Sequence, residues 1–134
     1  MKTIGYISGT FDLFHIGHLN IIKKAKENCD YLIVGVHESG AWKGKDTFIL
    51  FEERLAIVSA LKYVDQVVKS YPNDTDAIKR HNIKKLFVGD DYKGSDRFKI
   101  YETICTQANV EIIYFPYTKS TNSTKLRDVL QKLK

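Results

Sequence analysis

The chain of 134 residues contains no apolar run approaching the ~20 residues that a membrane-spanning helix requires. Its first residues, Met1-Lys2-Thr3-Ile4, lead directly into a strand-like pattern, without the apolar core and small-residue cleavage site of a secretory leader. Only two cysteines occur, Cys29 and Cys105, far apart in sequence. That is too few for a disulfide scaffold, and both fall in or beside amphipathic segments, where a free thiol packs as a small hydrophobe. No block of five or more like charges is present, nor any repeat or low-complexity tract, which argues against a charged tail or a solenoid. Basic residues interleaved with aromatics, the pattern of a single-strand nucleic-acid binder, are also missing. These absences point to a cytoplasmic protein with neither a membrane nor a nucleic-acid partner.

What is present is ordinary globular composition, 43% hydrophobic and 28% charged, with a net charge of +5. The surplus of positive charge suits an anionic ligand such as a nucleotide or a sugar phosphate, and does not by itself exclude nucleic acid. The length corresponds to one domain, residues 1–134.

Short apolar runs alternate with helix-periodic segments along the chain. Strands are predicted over 2–8, 31–37, 64–69, 85–88 and 110–115. Helices are predicted over 17–28, 52–62, 74–81, 97–108 and 124–133. Five strands separated by helices imply an α/β fold, a five-stranded parallel Rossmann-like sheet with flanking helices. Ligands of such sheets bind beyond the carboxyl ends of the strands, so the informative loops begin near Gly9, His37, Lys69, Gly89 and Pro116.

The first of these loops reads Gly9-Thr10-Phe11-Asp12-Leu13-Phe14-His15-Ile16-Gly17-His18. It leaves a strand and enters a helix, and free backbone N–H groups at such a junction form a natural phosphate site. Gly9 and Gly17 allow close backbone approach to a ligand. His15 and His18, three apart on a helical turn, share a side and can together donate to a phosphate gathering charge. Other readings of the pair are a helix cap and half of a metal site. No neighbouring Cys, third His or Glu completes a tetrahedral set, and Asp12 stands alone.

The segment G-T-F-D-x-x-H-x-G-H resembles the signature of the cytidylyltransferase family. His15-Ile16-Gly17-His18 is also similar to the HIGH motif of class I aminoacyl-tRNA synthetases, but the chain is too short for a synthetase. The resemblance extends over nearly the whole chain. Tyr31-Leu32-Ile33-Val34-Gly35-Val36 looks like the family's second strand. Lys43-Gly44-Lys45 and Glu52-Glu53-Arg54 resemble its lysine loop and E-x-R helix start. Lys62-Tyr63-Val64-Asp65-Gln66-Val67 is similar to R-Y-V-D-E-V, and Gly89-Asp90-Asp91-Tyr92 to G-D-D-W. Residues Tyr117 to Thr124 fall where the family has R-T-E-G-I-S-T-T.

The resemblance implies an enzyme that joins CTP to a small phosphorylated acceptor, such as glycerol 3-phosphate, and releases pyrophosphate. It implies that His15, His18 and Lys45 act on the phosphates. Gly9, Thr10, Phe11, Asp12, Gly17, Gly89, Asp90, Asp91, Ser123 and Thr124 are then nucleotide-binding residues. Lys43, Arg54, Tyr117 and Lys119 are acceptor-binding residues, with Arg54 offering a bidentate fork to the acceptor phosphate. Mg²⁺ is expected with the triphosphate, its protein ligands unassigned, and a homodimer is expected by analogy. A phosphate monoester is largely dianionic at neutral pH, so the nucleophile needs no general base.

The pattern also departs from the family. Tyr117 stands in place of an arginine, Lys119 replaces an acidic residue, and Asn122 replaces the first serine. Asn73 occupies the place of a tryptophan, with Tyr71 nearby, and the only tryptophan, Trp42, lies in the lysine loop. Two alternatives remain open at this stage: an adenylyltransferase of the same superfamily, of heptose, FMN or phosphopantetheine type, and a non-catalytic nucleotide- or nucleic-acid-binding module.

Overall fold

The structure is a computed structural model that describes residues 2–38, 47–116 and 123–133, without the side chains of Asp91 and of residues 123–125. In chain order the elements are β1 (Ile4–Gly9), α1 (Ile16–Glu27), β2 (Tyr31–Val36), α2 (Phe51–Ser59), β3 (Gln66–Lys69), α3 (Asp76–His81), β4 (Lys85–Gly89), a 3₁₀ turn (Asp90–Tyr92), α4 (Asp96–Gln107), β5 (Glu111–Phe115) and α5 (Ser123–Lys132). The five strands form one sheet in the order β3-β2-β1-β4-β5, and every pairing is parallel. The expected α/β architecture is thus present, with the strand order reversing between β1 and β4, where sheets of this kind open a crevice for ligands.

Alternation along each strand divides the core into two layers. Ile7, Leu32, Val34, Val36 and Phe87 face α1 and α2, packing against Ile22, Ala25 and Val58. Tyr6, Ile33 and Leu86 face the other way, against Ala77 of α3 and Cys105 of α4. Each such fully buried aliphatic side chain contributes about 1.5–3 kcal/mol. Cys105 is 1% exposed and Cys29 half-buried, and both thiols are free, as their apolar settings suggest.

Local chemistry sets the helix ends. Glu52 and Glu53 occupy the first turn of α2 and Lys24 and Lys26 the last turn of α1, each matching the sign of the helix dipole there. Ser95 caps α4 by accepting from the Phe98 N–H at 3.3 Å, and Asn82 ends α3 in the left-handed conformation at φ 53°. Helix α3 begins at Asp76 rather than at the expected residue 74, because the chain first turns, with the Asp76 N–H donating to the Asn73 carbonyl at 3.0 Å.

One glycine governs the second layer. A Cβ on Gly35 of β2 would lie 2.1 Å from the Tyr6 hydroxyl oxygen, so the tyrosine can lie along the sheet toward the carboxyl ends only because residue 35 has no side chain.

Candidate active site

The loop from Gly9 to His15 carries two non-glycine residues in the left-handed region, Phe11 at φ 55° and Leu13 at φ 51°. Such conformations cost roughly 1–3 kcal/mol each and cluster where backbone shape serves a ligand. A Cβ on Gly9 would lie 2.8 Å from the Phe11 ring, so the absent side chain lets that ring fold back over the strand end. Phe11 is 5% exposed and sits edge-on to the His18 ring at 5.4 Å between centroids. Its side chain therefore belongs to the core. Any part it takes in nucleotide binding falls to its backbone, which narrows the sequence expectation.

The loop ends in an unusual cap. His15 is the N-cap of α1, and its Nδ1 accepts from the Gly17 N–H at 3.0 Å. In return, His18 Nδ1 accepts from the His15 N–H at 3.2 Å. The two imidazoles thus form a reciprocal capping box, the arrangement usually made by Ser and Glu. Their rings stack at 4.0 Å with 28° between planes. Because both Nδ1 atoms accept from backbone N–H groups, each neutral ring carries its proton on Nε2. Each Nε2–H is thereby carried on an imidazole oriented by the helix start itself. Burial lowers the His15 pKa and keeps that ring neutral. Capping and phosphate binding, read from sequence as alternatives, are compatible on this geometry.

Asp12 does not extend into the crevice. It is 2% exposed, accepts from the Ile49 N–H at 3.0 Å and the Phe48 N–H at 2.9 Å, and pairs with Arg127 of α5. The Arg127 guanidinium also lies over the Phe48 ring, 4.8 Å from its centroid. Asp12 is thus a tie between the first loop, the segment before α2, and α5.

Arg54 likewise holds backbone rather than a ligand. It is fully buried, and its Nε donates to the Ile49 carbonyl at 2.9 Å. Its Nη1 donates to the Thr10 and His37 carbonyls at 2.7 and 2.6 Å, and its Nη2 to the Glu38 carbonyl at 2.7 Å. Four of the five N–H donors a guanidinium possesses are thereby engaged. No fork is left for bidentate capture of an acceptor phosphate, and the residue instead joins the ends of β1 and β2 to the start of α2.

The remaining expected residues fall as follows. Thr10 lies in the loop with its hydroxyl buried and unpartnered, leaving polar capacity at the strand end. The Gly17 N–H is taken by the His15 ring. Gly89 ends β4, two residues past its last pairing with β1, and Asp90, exposed, opens the 3₁₀ turn that Asp91 continues. Ser123 and Thr124 are the first residues of α5. Lys43, Lys45, Tyr117, Lys119, Trp42 and Asn122 lie outside the described residues. The structure thus brings the β1 loop, the histidine pair and the Gly89–Asp91 turn to one end of the sheet.

Sequence reasoning missed Arg127, which lies in the helix expected over 124–133. It also missed His37, whose ring Nδ1 lies 2.6 Å from Ser70 Oγ across the ends of β2 and β3. Among the described residues, no three His, Cys, Asp or Glu side chains converge as a metal cage, and no helix is long and apolar enough to cross a membrane.

Comparison with known proteins matches this arrangement to the cytidylyltransferase-like family, whose model aligns with residues 6–129. The chain belongs to that family, an enzyme class of nucleotidyltransferases. It is 33% identical over 136 residues to glycerol-3-phosphate cytidylyltransferase of Bacillus subtilis (strain 168), covering 98% of each chain. It is 32% identical over 130 residues to FAD synthase of Thermococcus sibiricus, covering 93% of this chain and 88% of the relative. A lipopolysaccharide core biosynthesis protein from Thermoplasma volcanium shares the fold, with a TM-score of 0.72 at 22% identity, over 90% of this chain and 100% of that one.

Proposed function

We propose that the chain transfers CMP from CTP to a small phosphorylated acceptor, glycerol 3-phosphate or a similar phosphorylated alcohol or amine, forming a CDP-activated precursor for surface polysaccharide, teichoic acid or lipid. The observation that carries this reading is the histidine pair. Two rings whose Nδ1 atoms both accept from the backbone carry their Nε2 atoms at the start of a helix, where a triphosphate finds hydrogen-bond donors and the positive end of the dipole. A phosphate oxygen of the acceptor attacks the α-phosphorus of CTP. The new P–O bond forms as the bond between the α-phosphorus and its bridging oxygen breaks, and the electron pair leaves with pyrophosphate. Donors already in place where charge develops lower the barrier without reorganisation.

The Gly89–Asp91 turn, across the β1–β4 crevice, receives the base and ribose. Lys43, Lys45, Tyr117 and Lys119 are assigned to the phosphates and the acceptor by resemblance alone. Mg²⁺ enters with the triphosphate, as this ion is commonly held through substrate phosphates and water. The cytoplasm as the site of action and a homodimer as the assembly rest on the same resemblance, and sedimentation velocity tests the second.

The relatives named FAD synthase favour a second reading, transfer of AMP from ATP. Pyrophosphate release, measured with CTP or ATP against glycerol 3-phosphate, phosphocholine, phosphoethanolamine and FMN, separates the two. Turnover with CTP supports the first reading. Turnover with ATP alone overturns it.

A further inference from the structure

A second polar cluster lies at the carboxyl end of the sheet, on the α3 and α4 side. Ser8 Oγ donates to Asp74 Oδ1 at 2.6 Å. The Asp74 N–H donates to the Tyr101 hydroxyl at 3.3 Å, which also accepts from Arg97 Nε at 2.8 Å and donates to Asn73 Oδ1 at 3.2 Å. Arg97 Nη2 donates to the Pro72 carbonyl at 2.9 Å. Two residues of α4 therefore fix the loop after β3 and hold Asp74 against the end of β1. Beneath lies the Tyr6 hydroxyl, in a residue 0% exposed, with a polar contact to the Tyr71 backbone but no well-formed hydrogen bond among the described residues. Tyr6 and Ser8 share a face of β1. The Tyr6 hydroxyl stands over Gly35, which is opposite Ser8 in register, and Asp74 acts on it electrostatically.

Both features are unfavourable for stability. Burial pushes the Asp74 carboxyl up, and only the Ser8 hydroxyl and the Arg97 charge oppose the shift. An asparagine of the same shape would accept the Ser8 hydrogen bond with no charge to desolvate. A buried hydroxyl without a well-formed hydrogen bond adds to the cost. Polar groups retained against stability at the ligand-binding end of a sheet are the mark of a site rather than of a core.

The topology indicates which ligand. With the nucleotide in the crevice between β1 and β4, the loop bearing Asp74, which follows β3 and is held against the end of β1 and against α4, borders that crevice on the α3 and α4 side and is left for the second substrate. This step rests on the transferase reading above. We infer that Asp74, oriented by Ser8, is a specificity-determining residue for the acceptor: it takes a hydrogen bond from a hydroxyl or ammonium group remote from the acceptor phosphate and disfavours acceptors whose remote end is anionic.

Steady-state kinetics of the full chain test the inference, with glycerol 3-phosphate and phosphoethanolamine varied against CTP for the wild type and Asp74→Asn, alongside thermal melts. The acceptor KM should rise about tenfold, the equivalent of one lost charge-assisted hydrogen bond, while the CTP KM stays within about twofold and Tm is unchanged or higher. Discrimination against 3-phosphoglycerate, with its anionic remote end, should weaken. Ser8→Ala should move the acceptor KM in the same direction by less, and it decides the matter if Asp74→Asn does not fold. An unchanged acceptor KM, or a parallel rise in both KM values with a fall in Tm, overturns the inference while the transferase reading stands. If the wild type releases no pyrophosphate from CTP or ATP with any acceptor, the transferase reading fails and the inference falls with it.

Discussion

Asp12, in the loop after β1, forms a buried ion pair with Arg127 of α5, 115 positions away along the chain. The carboxylate is 2% exposed, so its charge depends on that guanidinium and on two backbone N–H groups. Removing one partner of such a pair strands the other. Arg127→Leu should lower stability by about 3–5 kcal/mol, read from the midpoint of urea unfolding. Adding Asp12→Asn to Arg127→Leu should recover part of the loss, because the stranded charge is then gone. Additive losses from the two substitutions would show that the residues act independently.

Arg54 gives a prediction that separates a structural tie from a phosphate clamp. Its four hydrogen bonds end on carbonyls of Thr10, His37, Glu38 and Ile49. Arg54→Lys keeps the charge but has only three donors on one nitrogen and cannot span those positions. Stability should fall by on the order of 2–4 kcal/mol, and the KM values for nucleotide and acceptor should rise together as the loops loosen. A rise confined to the acceptor KM, at unchanged stability, would restore Arg54 to the role that the sequence suggested.

These two residues also show where a sequence stops being readable. The sheet and its helices were legible because alternation and helical spacing are local patterns, and element ends moved by no more than three residues, the largest shift being α2, expected to residue 62 and ending at Ser59. His15 and His18 were legible because both lie within one turn. The hydrogen bonding of Arg54 was not legible because the carbonyls that hold it come from two loops, and a backbone carbonyl leaves no trace in residue identity. Asp12 read as a loop acid open to a ligand, since its partner belongs to the last helix, where Arg127 looks like any surface charge. Ser8 and Asp74 carried no signal at all. A serine at a strand end and an aspartate in a turn are commonplace until the fold sets them 2.6 Å apart.

Gly35 and Tyr6 should behave as a coupled pair. Gly35→Ala would place a methyl group 2.1 Å from the Tyr6 hydroxyl oxygen and 2.8 Å from the ring carbon that bears it. A cost of about 1–3 kcal/mol is expected for such overpacking. Tyr6→Phe alone should cost less than about 1 kcal/mol, because it deletes a buried hydroxyl whose contact with the Tyr71 backbone is not a well-formed hydrogen bond. In the double variant it should relieve part of the alanine's cost, a coupling measurable by a double-mutant cycle in urea. No coupling would mean that the strand shifts to accommodate the methyl group without help from residue 6.

The histidine box predicts a loss of function and stability on the acid side. A proton on either Nδ1 removes the acceptor that caps α1 and sets an N–H against an N–H. Burial lowers the His15 pKa in the folded chain, and the ring facing it is His18. As pH falls through the ordinary imidazole range near ~6.5, the unfolded chain therefore takes up a proton that folded His15 resists. Stability contributed by the neutral ring is present above that range, declines as pH falls through it, and levels off only once the folded ring is also protonated. His81, lowered by its burial and by Arg80, adds to the same slope, so the His15 share must be isolated by difference. His15→Asn can still accept from the Gly17 N–H but does not titrate. Between pH 7 and pH 5 its urea midpoint should therefore fall less than that of the wild type, while its turnover at pH 7 drops by roughly two orders of magnitude or more with the loss of an oriented donor. Equal acid slopes in the two proteins would place the titrating group elsewhere and leave the box as a cap without a proton-linked role.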